Sequence, residues 1–163
     1  MIKLHEMTVA DLLSLHTQIG EEFRLRGISR SANALTGDLA EYLFCNAFDW
    51  EQAANSAKGY DAIGKDQTRY QIKGRRVHRR NKSRQLSAIR EIEAGHFDVL
   101  AGVLFDDDFK VRCAALIPRA IVQGHSKYNR HTNSNRFMLS DNIWSLNGVQ
   151  DVTNRIRALL DEG

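Results

Sequence analysis

The 163-residue chain carries 23 Lys and Arg against 20 Asp and Glu, a net charge of +3, with 42% hydrophobic and 26% charged residues. That balance describes a soluble globular protein and excludes a disordered one; the length suits one domain over 1–163 with a core of its own. No apolar run reaches the ~20 residues of a membrane helix, the first residues lack the apolar core of a secretory signal, and Cys45 and Cys113 match no metal-binding spacing. Two buried thiols in a cytoplasmic protein are therefore expected.

The first element is a helix from Thr8 to about Arg26. Thr8 caps it with Asp11 at the third position, and Val9, Leu12, His16, Ile19 and Phe23 recur at helical spacing. Gly27 ends it. A second helix begins near Ala32 or Thr36 and reaches Ala47, with Leu35, Leu39, Leu43 and Ala47 as its apolar stripe. Asp38, Glu41 and Cys45 lie on another flank, so Glu41 is free to serve a site while the leucines hold the helix to a sheet.

Strands follow. Trp50 to Ala53 reads as a short one. Gly59-Tyr60-Asp61-Ala62-Ile63-Gly64 and Arg69-Tyr70-Gln71-Ile72-Lys73-Gly74 are two glycine-bounded runs joined by the polar turn Asp66-Gln67-Thr68. Alternation puts Gln71 and Lys73 on one face and Tyr70 and Ile72 on the other. If the two runs pair, Asp61 meets Gln71 and Lys73, which gathers a carboxylate, an amide oxygen and a cation. Phe97 to Phe105 is almost continuously apolar, as a central buried strand is. Asp106-Asp107-Asp108 makes a solvated turn, and Lys110 to Ile117 returns beside it.

Pro118 starts a short helix to Gln123. His125 to Arg136 is polar and basic with one aromatic, Tyr128, and reads either as a surface loop or as a nucleic-acid contact. Phe137 to Leu139 reads as an edge strand, and Val149, Val152, Ile156, Leu159 and Leu160 define a C-terminal amphipathic helix. Helices and strands alternate in an α/β arrangement.

Charge is distributed unevenly. Eight Lys and Arg (Lys73, Arg75, Arg76, Arg79, Arg80, Lys82, Arg84 and Arg90) fall between Lys73 and Arg90 with no Asp or Glu among them. Such a cluster is either a solvated surface or a track of phosphate contacts whose binding releases counterions.

Asp61 followed by Gln71-Ile72-Lys73, with Glu41 on the helix of Gly37-Asp38-Leu39-Ala40-Glu41-Tyr42-Leu43, resembles the PD-(D/E)XK nuclease superfamily in its Gln-X-Lys variant. The matching stretches cover roughly residues 36 to 76. The resemblance implies a restriction endonuclease-like core, a central mixed β-sheet flanked by helices, and a metal-dependent DNA endonuclease. It implies catalytic roles for Glu41, Asp61, Gln71 and Lys73. It also implies Mg²⁺, with Mn²⁺ as a substitute, held by Asp61, the Gln71 side-chain oxygen, the Ile72 carbonyl and Glu41. Gln71 departs from the acid common at its position, and Glu41 would restore the missing charge.

DNA contacts are expected from Arg75, Arg76, Arg79, Arg80, Lys82 and Arg84. Cutting both strands with one site per chain favours a homodimer or a subunit of a larger complex. The alternative is a non-catalytic nucleic-acid-binding module of the same fold, because a lost acid also marks inactive relatives.

Overall fold

A computed structural model describes residues 1–30, 35–54 and 56–162. Helix α1, Val9–Leu25, starts at Thr8, whose hydroxyl oxygen accepts the Asp11 N–H. It ends as expected. Gly27 takes a positive φ of 71°, its N–H donates to Arg24 and that of Ile28 to Phe23. These crossed bonds satisfy the last carbonyls in a way that needs a residue free to adopt the left-handed region. No residue of α1 is buried, and Leu13 and Val9 are 64% and 74% exposed.

Helix α2, Leu35–Phe48, buries Leu39, Ala40, Leu43, Phe44 and Cys45; the expected start at Ala32 lies outside the described residues. Beyond it come β1 (Glu51–Gln52), β2 (Ala62–Ile63), β3 (Arg69–Arg76), β4 (Val99–Phe105) and β5 (Val111–Pro118). Helix α3 is Arg119–His125. Strands β6 (Lys127–Asn129) and β7 (Ser134–Arg136) follow, then β8 (Gln150–Asp151) and helix α4 (Thr153–Glu162).

The main sheet runs β1-β2-β3-β4-β5-β8. Only β3 and β4 are parallel, from Tyr70↔Val99 to Arg76↔Phe105; the other pairs are antiparallel. The fold is thus α/β with a mixed six-stranded sheet flanked by helices, as expected, and no described helix is long and apolar enough to cross a membrane.

Each face of the sheet carries its own core. On one, Ile72, Ala101, Val103, Phe105, Ala114 and Leu116 pack against α2 and against Ile156 of α4. On the other, Leu100, Leu104, Ala115 and Ile117 are covered by Leu86, Ile89, Phe97, Phe137, Leu139 and Val122. β4 is therefore buried on both sides, which is why its sequence is continuously apolar. Truncating a fully buried residue such as Leu43 or Leu100 should remove about 2–5 kcal/mol.

Two further features set the position of α2. Phe48 stacks on Trp50 at 4.9 Å and Trp50 on Tyr70 at 3.6 Å, with the Arg155 guanidinium 4.2 Å over Phe48. This ladder ties the C-terminal end of α2 to β3 and α4. Gly74 lies directly under the helix. A Cβ there would come within 3.0 Å of both the Ala40 methyl and the Thr36 carbonyl oxygen. Backbone meets backbone at this point because neither side chain exceeds a methyl.

Several expectations need correction. Phe137–Leu139 is not a strand; Phe137 and Leu139 are core residues and only Met138 bridges, to Gln85. Within the segment from His125 to Arg136, His125 closes α3 and the residues from Lys127 onward form the β6–β7 hairpin, an exposed loop with two short paired strands. The C-terminal helix starts at Thr153, and the residues before it form β8, whose two residues are too few to leave an alternating pattern.

Candidate active site

Asp61 immediately precedes β2. Its N–H donates to the Tyr70 carbonyl at 2.7 Å, although Tyr70 is the partner of Ala62. Two residues thus oppose one, the count of a β-bulge, and bulges re-aim side chains. The Asp61 carboxylate turns onto the edge of β3 that β2 leaves uncovered, where its Oδ2 accepts the Ile72 N–H at 2.7 Å. Within a strand the N–H and C=O of one residue point to the same edge, so the Ile72 carbonyl shares that edge. Gly59, two residues upstream, has a φ of 77° and passes so close to His96 that a Cβ would lie 2.3 Å from the His96 Cβ. Only glycine brings the chain into Asp61 by this route.

Glu41 arrives from α2. Its Oε2 accepts the Gln52 side-chain N–H at 2.7 Å and lies 3.7 Å from the Arg30 guanidinium. Burial holds its carboxyl above the ordinary range, and the nearby Asp61 charge adds to that effect against the opposing Gln52 bond. The Asp61 carboxyl is raised too, again chiefly by burial, with the Ile72 N–H and the Lys73 charge pulling the other way. Two half-buried carboxylates thus share negative charge that the surrounding protein does not fully offset. They line one cleft of about 340 Å³ together with Arg30, Asp38, Ala53 and Tyr60.

Gln71 and Lys73 come from the opposite face of β3, beside Leu100 and Gly102 of β4. Gln71 is 9% exposed, and its Oε1 is buried without a hydrogen-bond partner among the described residues. A buried amide oxygen left unpaired is costly unless something else satisfies it. Burial lowers the pKa of the Lys73 ammonium, while Asp61 and Glu41 raise it and Arg90 lowers it. Asp61, Glu41 and Lys73 therefore sense one another electrostatically, though neither Gln71 nor Lys73 lines the cleft itself. Cys45, on the same flank of α2, is pushed up to about 11 by burial and the charges of Glu41 and Asp61, so its thiol stays protonated.

The donor set suits a hard divalent cation: two carboxylates, one orphaned amide oxygen and a carbonyl on the same edge. Such ions take oxygen ligands and keep several waters, so two carboxylates suffice. Among the described residues no three His, Cys, Asp or Glu side chains converge as a metal-ligating group.

The basic run divides. Arg79, Lys82 and Arg84 line a cleft of about 730 Å³ with His78, Asp107 and Arg112. Arg76, Arg79 and Arg80 border a second of about 520 Å³. Arg75 lines neither, and its Nε is buried without a partner among the described residues. Arg76 is engaged structurally, donating to the Asp107 carbonyl and lying 4.6 Å over the Phe109 ring. Acids distant in sequence also fold back onto the run: Asp107 pairs with Arg79 at 3.3 Å and Asp141 with Arg84 at 2.8 Å. The run is partly compensated in three dimensions although it is not in sequence. From Ile72 to Val77 the strand rises roughly 16 Å, so the basic clefts flank the carboxylates and do not enclose them. Arg112 of β5 and Arg30 in the carboxylate cleft carried no local signal, since each stands alone in sequence.

No protein-family model matches this chain, and comparison with curated proteins finds no match.

Proposed function

We propose that the chain is a metal-dependent nuclease of restriction endonuclease-like fold, a cytoplasmic enzyme that hydrolyses phosphodiester bonds in DNA. The observation that supports this most is the pair of carboxylates, Asp61 and Glu41, lining one cleft at the open edge of β3, with both charges acting on Lys73. Asp61, Glu41, Gln71 Oε1 and the Ile72 carbonyl would hold Mg²⁺ or Mn²⁺. When bound, the ion supplies Lewis acidity toward water and phosphate.

The chain's own groups do the rest. Asp61 is fixed by the Ile72 N–H and Glu41 by Gln52, so both carboxylates are pre-oriented before substrate arrives. The Lys73 ammonium makes no hydrogen bond or ion pair among the described residues and sits where burial eases loss of its proton. Its Nζ is therefore suited to orient the attacking water, to accept its proton and to offset charge gathering on the phosphorus. Arg79, Arg80, Lys82 and Arg84 would grip the backbone on the flanking surface, with Arg guanidinium forks favouring bidentate phosphate contact. With one site per chain, cutting of a duplex calls for a twofold dimer or a partner subunit.

A non-catalytic nucleic-acid-binding module is the second reading, favoured by the neutral Gln71. The test is nicking of plasmid DNA in Mg²⁺ and Mn²⁺ by wild type and Gln71→Glu. The nuclease reading expects cutting that EDTA abolishes and that the added carboxylate keeps or strengthens. Intact DNA throughout, with salt-sensitive binding retained, would favour the module.

A further inference from the structure

The β6–β7 hairpin is built in a way that folding alone does not account for. Its register sets Lys127 opposite Arg136. Both are exposed, and like charges directly opposite on a strand pair destabilise it. No acid occurs between His125 and Arg136, and Lys127, Arg130 and Arg136 form no ion pair among the described residues. The tip is nevertheless ordered by its own side chains. Asn129 Oδ1 accepts the His131 N–H at 3.1 Å, and Thr132 and Ser134 hydroxyls meet at 2.7 Å. Tyr128, paired with Asn135 on the opposite face of the hairpin from Lys127 and Arg136, has 62% of its surface exposed, and its hydroxyl donates to Asn133 Oδ1 at 2.8 Å. An aromatic ring held by a hydrogen bond and open to solvent, on a hairpin that carries cations and no acid, matches a stacking platform for a base.

The hairpin is also seated beside the candidate site. Asn135 exchanges both backbone hydrogen bonds with Ile89, at 2.7 and 3.1 Å. The next residue, Arg90, is close enough for its charge to act on Lys73. Ile89 in turn belongs to the core cluster that includes Leu100 of β4, the register partner of Gln71.

We infer that the β6–β7 hairpin is a nucleic-acid contact in its own right, with Tyr128 stacking on an unpaired base, so that the bound strand is single or splayed next to the site. Paired bases in a duplex offer no free face to the ring, whereas every base in a single strand does. Lys127, Arg130 and Arg136 hold the phosphates on either side. The inference deepens the nuclease reading and rests on it for the nucleic-acid class, but binding itself requires no cleavage.

The experiment is fluorescence anisotropy in EDTA with a labelled single strand and a duplex of equal length. Wild type, Tyr128→Ala, Tyr128→Phe and the double variant Lys127→Gln/Arg136→Gln are compared. Tyr128→Ala should weaken single-strand binding roughly tenfold and duplex binding by less than about twofold. Tyr128→Phe keeps the ring and should stay within about twofold of wild type on both. The double glutamine variant should lose roughly 1.4 from the single-strand salt slope, two phosphate contacts' worth, and should melt no lower than wild type.

Unchanged single-strand affinity in Tyr128→Ala, or equal losses on both substrates, would overturn the inference, as would a wild type that binds neither. A strand-selective loss in a protein that never cuts DNA upholds the hairpin's role and discards the nuclease reading. Cutting by wild type with Tyr128→Ala binding unimpaired does the reverse.

Discussion

Gly74→Ala tests how the sheet places Glu41. In a strand interior, alanine ordinarily improves on glycine by about 0.5–1 kcal/mol because less backbone freedom is lost. Here the new methyl meets the Ala40 methyl and the Thr36 carbonyl oxygen, each at 3.0 Å, so α2 must give way by a few tenths of an ångström. Overpacking of a well-filled contact costs about 1–3 kcal/mol, which leaves a net loss of roughly 0.5–2 kcal/mol. Urea denaturation followed by circular dichroism measures it directly. Glu41 follows Ala40 in the helix, so DNA cutting should fall by more than the stability loss alone explains. Ala40→Gly costs roughly 1 kcal/mol as a helix-interior glycine. Combined with Gly74→Ala it removes one of the two clashes, so the pair should be more stable than the sum of the single losses. Wild-type stability in Gly74→Ala, or strict additivity of the pair, would refute the close approach of α2 to β3.

Three other outcomes follow from the same geometry. Because burial raises the Glu41 carboxyl, the folded chain binds more protons than the unfolded one between the ordinary and the raised value, and stability falls as pH rises through that interval. In metal-free buffer Glu41→Gln should therefore melt above wild type at neutral pH and match it below the ordinary carboxylate range; a lower neutral melting temperature would contradict this. Asp98 accepts the Arg69 N–H at 2.8 Å and pairs with its guanidinium at 3.0 Å, and these contacts hold its carboxyl low. Asp98→Ala should cost about 1 kcal/mol at neutral pH, a difference that shrinks as pH falls through the lowered value; equal stability at all pH would refute it. The Cys45 thiol, pushed up to about 11, should resist a disulfide reagent in mildly alkaline native buffer and react once the chain is unfolded.

What the sequence revealed was governed by short-range rules. The Thr8 cap and Gly27 stop bound α1 because capping is local. Period-two alternation separated Gln71 and Lys73 from Tyr70 and Ile72, and β3 keeps that separation. The continuous apolar run of β4 announced burial on both faces. Features created by the tertiary fold left no such trace. Asp107 and Asp141 neutralise part of the basic run from 28 and 57 residues away. Phe137 to Leu139 looks like a strand in composition, yet Phe137 and Leu139 serve as a lid over Gly102 and its neighbours. The β6–β7 hairpin lacks the apolar alternation that signals strands, and its bridge to Ile89 spans 46 positions. Arg30 pairs with Glu41 from 11 positions away, a contact that no pattern encodes.

Cleavage of supercoiled plasmid and branched DNA by wild type, Asp61→Ala and Lys73→Ala in Mg²⁺ or Mn²⁺, each protein first shown to be folded and to bind DNA in metal-free buffer, decides whether Asp61 and Lys73 form a nuclease site. Cutting by wild type that either substitution abolishes, with DNA binding retained, is the predicted result. Cutting that survives Asp61→Ala and Lys73→Ala, or wild-type protein that binds but never cuts, would contradict it.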